Sequence, residues 1–112
     1  MEIFVPVGNI VDMPDTTYNM QPTMSIDEDG DKVWRLNDQY HREDGPAIEY
    51  LDGDEDWYLH GDYHRTNGPA IVWHDGTASW YLYGSCYTFD GWLIANTEIS
   101  DEEKVMMKLQ YG

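Results

Sequence analysis

Basic residues are scarce in this 112-residue chain: six Lys and Arg stand against 22 Asp and Glu, a formal net charge of -16. A chain this acidic has no basic patch with which to hold DNA, RNA or an anionic membrane. Cysteine is nearly missing as well, Cys86 being the single one. No internal disulfide can form, which fits a reducing compartment. No run of 18 apolar residues occurs, so no segment reads as a transmembrane helix. The opening M-E-I-F-V-P-V-G-N-I-V-D-M lacks the basic start and long apolar stretch of a signal peptide. These absences predict a soluble, cytoplasmic protein. Aromatic residues, by contrast, are plentiful: five Trp, nine Tyr and two Phe are far more than a disordered acidic tail carries. The expectation is one folded domain over 1–112, because a chain of this length supports a single core.

The sequence repeats with a period of 23. Trp34, Trp57 and Trp80 recur at that spacing, as do Gly30, Gly53 and Gly76, and Gly45, Gly68 and Gly91. Two full units read G-D-K-V-W-R-L-N-D-Q-Y-H-R-E-D-G-P-A-I-E-Y-L-D (30–52) and G-D-E-D-W-Y-L-H-G-D-Y-H-R-T-N-G-P-A-I-V-W-H-D (53–75). A third begins at Gly76 and diverges after Gly84, while residues 21–30 resemble the last third of a unit with one residue extra. Self-similarity at this length signals a repeat architecture.

Each unit reads as strands. Runs such as 57–59 and 70–73 are aromatic and β-branched and are bounded by Gly, Pro, Asn and Asp. Asp52-Gly53 and Asp75-Gly76 mark one tight reversal per unit; Asn37-Asp38, His60-Gly61 and Tyr83-Gly84 mark a second. Gly45-Pro46 and Gly68-Pro69 separate segments, because Pro has no amide hydrogen for a ladder. The predicted fold is mainly β: an antiparallel meander of 23-residue hairpin repeats over 23–87, with the three tryptophans on one face, stacking unit on unit. Residues 88–112 form a helical C-terminal cap. Thr88 caps a short helix, and Ser100 with Glu103 forms a capping box that opens a helix over 101–110. Val105, Met106 and Leu109 are its expected apolar stripe, laid on the open end of the sheet. Residues 1–22 are an N-terminal extension, with an edge strand over 3–7 and a loop over 12–19.

A residue repeated in every unit builds the unit, so functional candidates belong where the pattern breaks. His41 and His64 lie two strands apart, roughly 9–10 Å at the usual strand spacing, too far to share a metal. Each is expected to bond backbone near its Gly-Pro reversal. His60 and His74 break the repeat without Cys or paired carboxylates at ligand spacing. Cys86 replaces Tyr40 and Tyr63 and reads as a small buried substitute. No phosphate loop, G-x-S-x-G or dinucleotide fingerprint occurs, so the expectation is no enzyme, no cofactor and no metal. The acidic surplus gathers before the first two tryptophans, at Asp27, Glu28, Asp29 and Asp31 and at Asp52, Asp54, Glu55 and Asp56. These eight are the candidate partner-binding residues. Two readings of them stay open: a solvated surface that keeps the protein soluble, or a surface that meets a basic partner.

The run W-Y-L-x-G-x-x-H-R-x-x-G-P-A-I followed by D-G (57–76), with F-D-x-W-L and S-D-E-E-K-V-M-x-K after the repeats, resembles variant MORN-like repeats of small tailed-bacteriophage proteins. The resemblance covers 23–110. It implies a hairpin ladder and a binding surface rather than a reaction. By the same resemblance the chain is expected to be a phage-type interaction protein in the host cytoplasm; its acidity adds the expectation that it binds and inhibits a host protein with a basic surface by mimicking nucleic acid. An immune nuclease or a nucleic-acid-binding factor is the kind of target implied. The alternative is an assembly module that self-associates or binds a virion component. The departures from the pattern are the third unit, where Cys86-Tyr87-Thr88 stands for Tyr-His-Arg, and the acidity.

Overall fold

The computed structural model describes residues 21–112; the edge strand and loop expected before residue 20 lie outside them. The elements are β1 (Thr23–Ile26), β2 (Lys32–Leu36), β3 (Gln39–Tyr40), β4 (Ile48–Glu49), β5 (Glu55–Asp56), β6 (Tyr58–Leu59), β7 (Asp62–Tyr63), β8 (Ile71–Val72), β9 (Ala78–Leu82), β10 (Ser85–Tyr87), α1 (Phe89–Ala95) and α2 (Asp101–Tyr111). The expected mainly β fold is present: an antiparallel eight-stranded sheet in the order β10-β9-β8-β5-β4-β2-β1, with β3 also on β2. A small second sheet pairs β6 with β7.

The 23-residue period is geometric as well as chemical. Ser25 pairs with Val33, Ile48 with Asp56 and Ile71 with Ser79, each pair 23 residues after the last. The extra residue of the partial repeat therefore falls before the tip, and the tip itself is in register. Each unit carries two hairpins. One turns at Gly30, Gly53 or Gly76, with φ of 88°, 99° and 91°. The other turns at Asn37-Asp38, His60-Gly61 or Tyr83-Gly84, where both residues have positive φ, as a two-residue turn matched to the strand twist requires. Bonds from the Arg42 amide to the Tyr58 carbonyl (3.2 Å) and from the Gly61 amide to the Tyr40 carbonyl (2.9 Å) tie the small sheet to the first unit.

The tryptophans hold equivalent places, but they do not stack on one another. Trp34 and Trp57 each donate to an alanine carbonyl (Ala47, Ala70) and accept from a histidine amide (His41, His64). Trp80 pairs with Tyr87, again seven residues on. The aromatic column that links units is instead tyrosine. Ring centroids run Tyr40–Tyr58 5.1 Å, Tyr58–Tyr63 4.4 Å and Tyr63–Tyr81 4.9 Å. Cys86 faces Tyr81 at the end of this column and is exposed, not buried as its small size suggested. The apolar interior is thin, with Val33, Ala47, Ile48, Ala70 and Ile71 beneath the ladder and a denser cluster of Trp80, Leu82, Trp92 and Leu93 at its end.

Both helix starts are as expected: Thr88 accepts the Gly91 amide, and Ser100 and Glu103 close the capping box. The packed face of α2 is not. Val105, Met106 and Leu109 are exposed, whereas Met107 packs on the end cluster and Tyr111 meets Trp80 edge-on at 4.9 Å. Aromatic contact with the last tryptophan selects the helix rotation, and the stripe read from hydropathy is left in water.

Candidate functional site

Two surfaces carry chemistry. The first is the row of Asp-Gly tips. Asp27 Oδ1 accepts the amides of Asp29 and Asp31, both at 3.0 Å. Asp31 Oδ1 then reaches the next unit, accepting the Leu51 amide at 2.9 Å. Asp52 accepts the Asp54 amide at 2.9 Å, and Asp54 accepts the His74 amide at 2.7 Å. The tips are thus chained along one edge by the carboxylates expected to meet a partner. Asp27, Glu28, Asp29 and Asp52 are exposed, and Asp31, Asp54 and Glu55 are half-buried.

Asp56 does not belong to this surface. It is 8% exposed and accepts the Tyr50 hydroxyl at 2.9 Å. Burial, with Asp54 adding to it, pushes its carboxyl above the usual range, while the Tyr50 bond pulls the other way. Its place is on β5, one residue before Trp57, and strand alternation turns it inward.

His74 has the carboxylate neighbours that sequence spacing did not predict. Its Nδ1 lies 2.8 Å from Asp54 Oδ1 and 3.7 Å from Asp52 Oδ2. The bond to Asp54 holds the His74 pKa above its ordinary value and holds Asp54 below its own. One ligand atom from each of Asp52, Asp54 and His74 lies within 4.8 Å of the others, as do those of Asp27, Asp29 and Asp31. Within these clusters the carboxylates of Asp27, Asp31, Asp52 and Asp54 accept backbone amides.

The second surface is built by the arginines and tryptophans of the units. The Arg42 guanidinium lies over the Trp34 ring at 3.8 Å and that of Arg65 over Trp57 at 3.7 Å. Gly45 and Gly68 make room for them: a Cβ there would come within 2.6 Å of each guanidinium carbon. Arg42 Nη1 donates to the Pro46 carbonyl (3.1 Å) and Arg65 Nη1 to the Pro69 carbonyl (3.1 Å). The motif R-x-x-G-P is therefore a roof over tryptophan. The histidine beside each Arg works toward the next unit rather than its own Gly-Pro reversal. His41 Nδ1 accepts the His60 amide at 2.9 Å, and His64 Nδ1 accepts the Tyr83 amide at 3.0 Å. Each ring also faces the aromatic side chain it holds, at 4.3 Å and 4.2 Å. Burial pulls the His64 pKa below the ordinary imidazole value, opposed by Glu98.

Sequence reasoning missed this face because it treated Arg42 and Arg65 as attachments to their histidines. The signal was present in the eight-residue step from each Trp to each Arg and the three-residue step on to each Gly. No protein-family model, curated protein or solved structure matches the chain.

Proposed function

We propose that this chain is a non-catalytic, phage-type interaction protein that binds a basic surface of a host protein and inhibits it, acting in the host cytoplasm. The observation that carries the reading is the chained row of acidic tips on one edge of a molecule with net charge -16. Glu28 and Asp29 project from the first tip, and Asp27 and Asp52 add exposed charge beside them. Hydrogen bonds from one tip to the next hold these charges on a rigid edge, which suits a nucleic-acid-like array of negative groups. Like charges so placed repel one another, a cost that an engaged partner offsets.

The test is affinity capture from bacterial lysate with the parent and with a triple variant, Glu28→Gln, Asp29→Asn and Glu55→Gln. These substitutions spare Asp31, Asp54 and Asp56, whose side chains hold the fold. The reading expects a basic host protein, bound more slowly by the variant and with a shallower salt dependence. The Debye length is about 8 Å at physiological salt, so only charges close to the partner count. Equal binding at low and high salt would remove the acidic edge from the interface. A second reading, assembly with its own kind or a virion component, has its own support: Ile94, Val105, Met106 and Leu109 are 82%, 55%, 63% and 78% exposed on the two helices. Sedimentation equilibrium separates the two, because a concentration-dependent dimer abolished by Leu109→Lys belongs to the second.

A further inference from the structure

We propose that the groove between the first two repeats is a carboxylate-binding site centred on Arg65. A cavity of about 350 Å³ opens there, walled by Arg42, Trp57, His60, His64, Arg65 and Asn67. The volume is within the range of small-ligand pockets. Charge sets it apart: two of the six Lys and Arg and two of the four His of this acidic chain meet in one groove.

The repeat itself shows what is missing. Arg42 is held by two carboxylates, Asp44 on Nε at 3.0 Å and Glu49 on Nη1 at 2.8 Å. The residues 23 positions later are Asn67 and Val72. Arg65 keeps the geometry, with Asn67 Oδ1 on Nε at 3.0 Å and the same proline carbonyl, and it loses both charges. Among the described residues no carboxylate lies within 4 Å of it; Glu55 acts on it only at longer range. The guanidinium is half-buried over Trp57, and an unpaired cation in that position favours an external carboxylate in a charge-assisted pairing. His64 adds to the wall a ring whose Nδ1 already accepts a bond, so its Nε2 carries the hydrogen of the neutral form. Trp57 and Leu59 supply apolar surface beside these donors. The one acidic side chain at the rim, Glu43, is 79% exposed and lies 3.5 Å from His41 Nε2, turned to solvent. The ligand that fits is a carboxylate on a short aliphatic stem, whether a free dicarboxylate or the side chain of an acidic peptide.

NMR of the ¹⁵N-labelled full chain tests this, following the Trp57 indole and Arg65 Nε signals during titration with succinate and, separately, with tri-glutamate. Saturable shifts at both signals are expected, with none from succinamide. Succinate as effective as the peptide identifies a free carboxylate, and a response to the peptide alone identifies a protein side chain. Two variants restore the counter-charges of the first unit: Asn67→Asp and Val72→Glu. Each should fold and weaken binding about tenfold, because an internal carboxylate then competes for the pairing. No saturable shift with either probe, or titration curves unchanged in both folded variants, would overturn the site.

Discussion

Replacing His41 by Phe isolates the stitch between the first and second repeats. The variant keeps an aromatic ring against His60, now at 4.3 Å, and removes the Nδ1 that accepts the His60 amide at 2.9 Å. His60 sits at φ 49°, a left-handed backbone that this bond helps to hold. His41 is 2% exposed and the bond it accepts is part-buried, whereas the one His64 accepts is exposed, so water replaces His41 as acceptor less readily. A donor left unsatisfied in such a setting costs about 1–3 kcal/mol, and we expect a loss near the middle, about 2 kcal/mol, a large share of the 5–15 kcal/mol typical of domains. His64→Phe removes the same bond, to Tyr83 at 3.0 Å, but His64 is only half-buried and Tyr83 is 67% exposed. Water can satisfy that amide, so the loss should be nearer about 1 kcal/mol, the net worth of an ordinary hydrogen bond. Urea unfolding at pH 7.5, with the m-value checked for constancy, measures both. A loss below about 0.5 kcal/mol for His41→Phe, the range of a neutral surface change, or a larger loss for His64→Phe, would refute the reasoning.

His64 also sets a pH dependence. Its folded pKa lies below the unfolded value of 6.5, so its contribution is complete above pH 6.5 and is lost as pH falls through the folded pKa, with a slope of at most about 1.4 kcal/mol per pH unit. His74 acts in the opposite sense. The measurement is therefore the difference between parent and His64→Phe from pH 8 to pH 5; a difference that does not shrink with acid contradicts the assignment. Tyr50→Phe withdraws the hydroxyl from buried Asp56 and should cost about 1–3 kcal/mol at pH 7.5. Because the folded pKa of Asp56 is raised above 3.8, stability tied to its neutral form is present below 3.8 and lost as pH rises, so the penalty of Tyr50→Phe should be smaller in urea titrations at pH 4.5. An equal or larger penalty there would show that the bond does not bear on the carboxylate.

The repeat period made the ladder legible because strand pairing, turn chemistry and period all point one way. Asp-Gly tips need positive φ, Asn-Asp and His-Gly turns need two residues of positive φ, and both sets of turns lie where these pairs stand. Side-chain direction was harder to read. Asp54, Glu55 and Asp56 form one acidic run in sequence, yet one faces the next tip, one lies beside Trp57 and one is buried under Tyr50. Composition cannot separate them, whereas the two-residue period of β5 does. For α2, hydropathy chose Val105, Met106 and Leu109, whereas the side chains that reach the end cluster are Met107 and Tyr111, the latter edge-on to Trp80. The roof over tryptophan was hidden for another reason: neither Arg nor Gly is unusual alone, and only their fixed distance from Trp reveals a contact.

The third unit then explains why the ladder stops. In the first two, the roof is Arg42 or Arg65; at the same step from Trp80 stands Thr88. A threonine cannot cover an indole, but its hydroxyl caps a helix, and Gly91, the periodic glycine, donates its amide to that cap at 3.0 Å. The helix so begun brings Phe89 and Trp92 to 4.8 Å and 4.7 Å from Trp80. Trp92 donates to the Arg65 carbonyl at 3.1 Å and Asn96 to the Thr66 carbonyl at 2.9 Å, so α1 is anchored to the second unit's loop. Trp80 consequently becomes the buried member of the series, at 8% exposure, where Trp34 and Trp57 stay half-buried. Exchanging one cation for one helix-capping hydroxyl converts a repeating element into a terminus. It also leaves Arg65 as the last guanidinium of the series, without the carboxylates that its predecessor keeps.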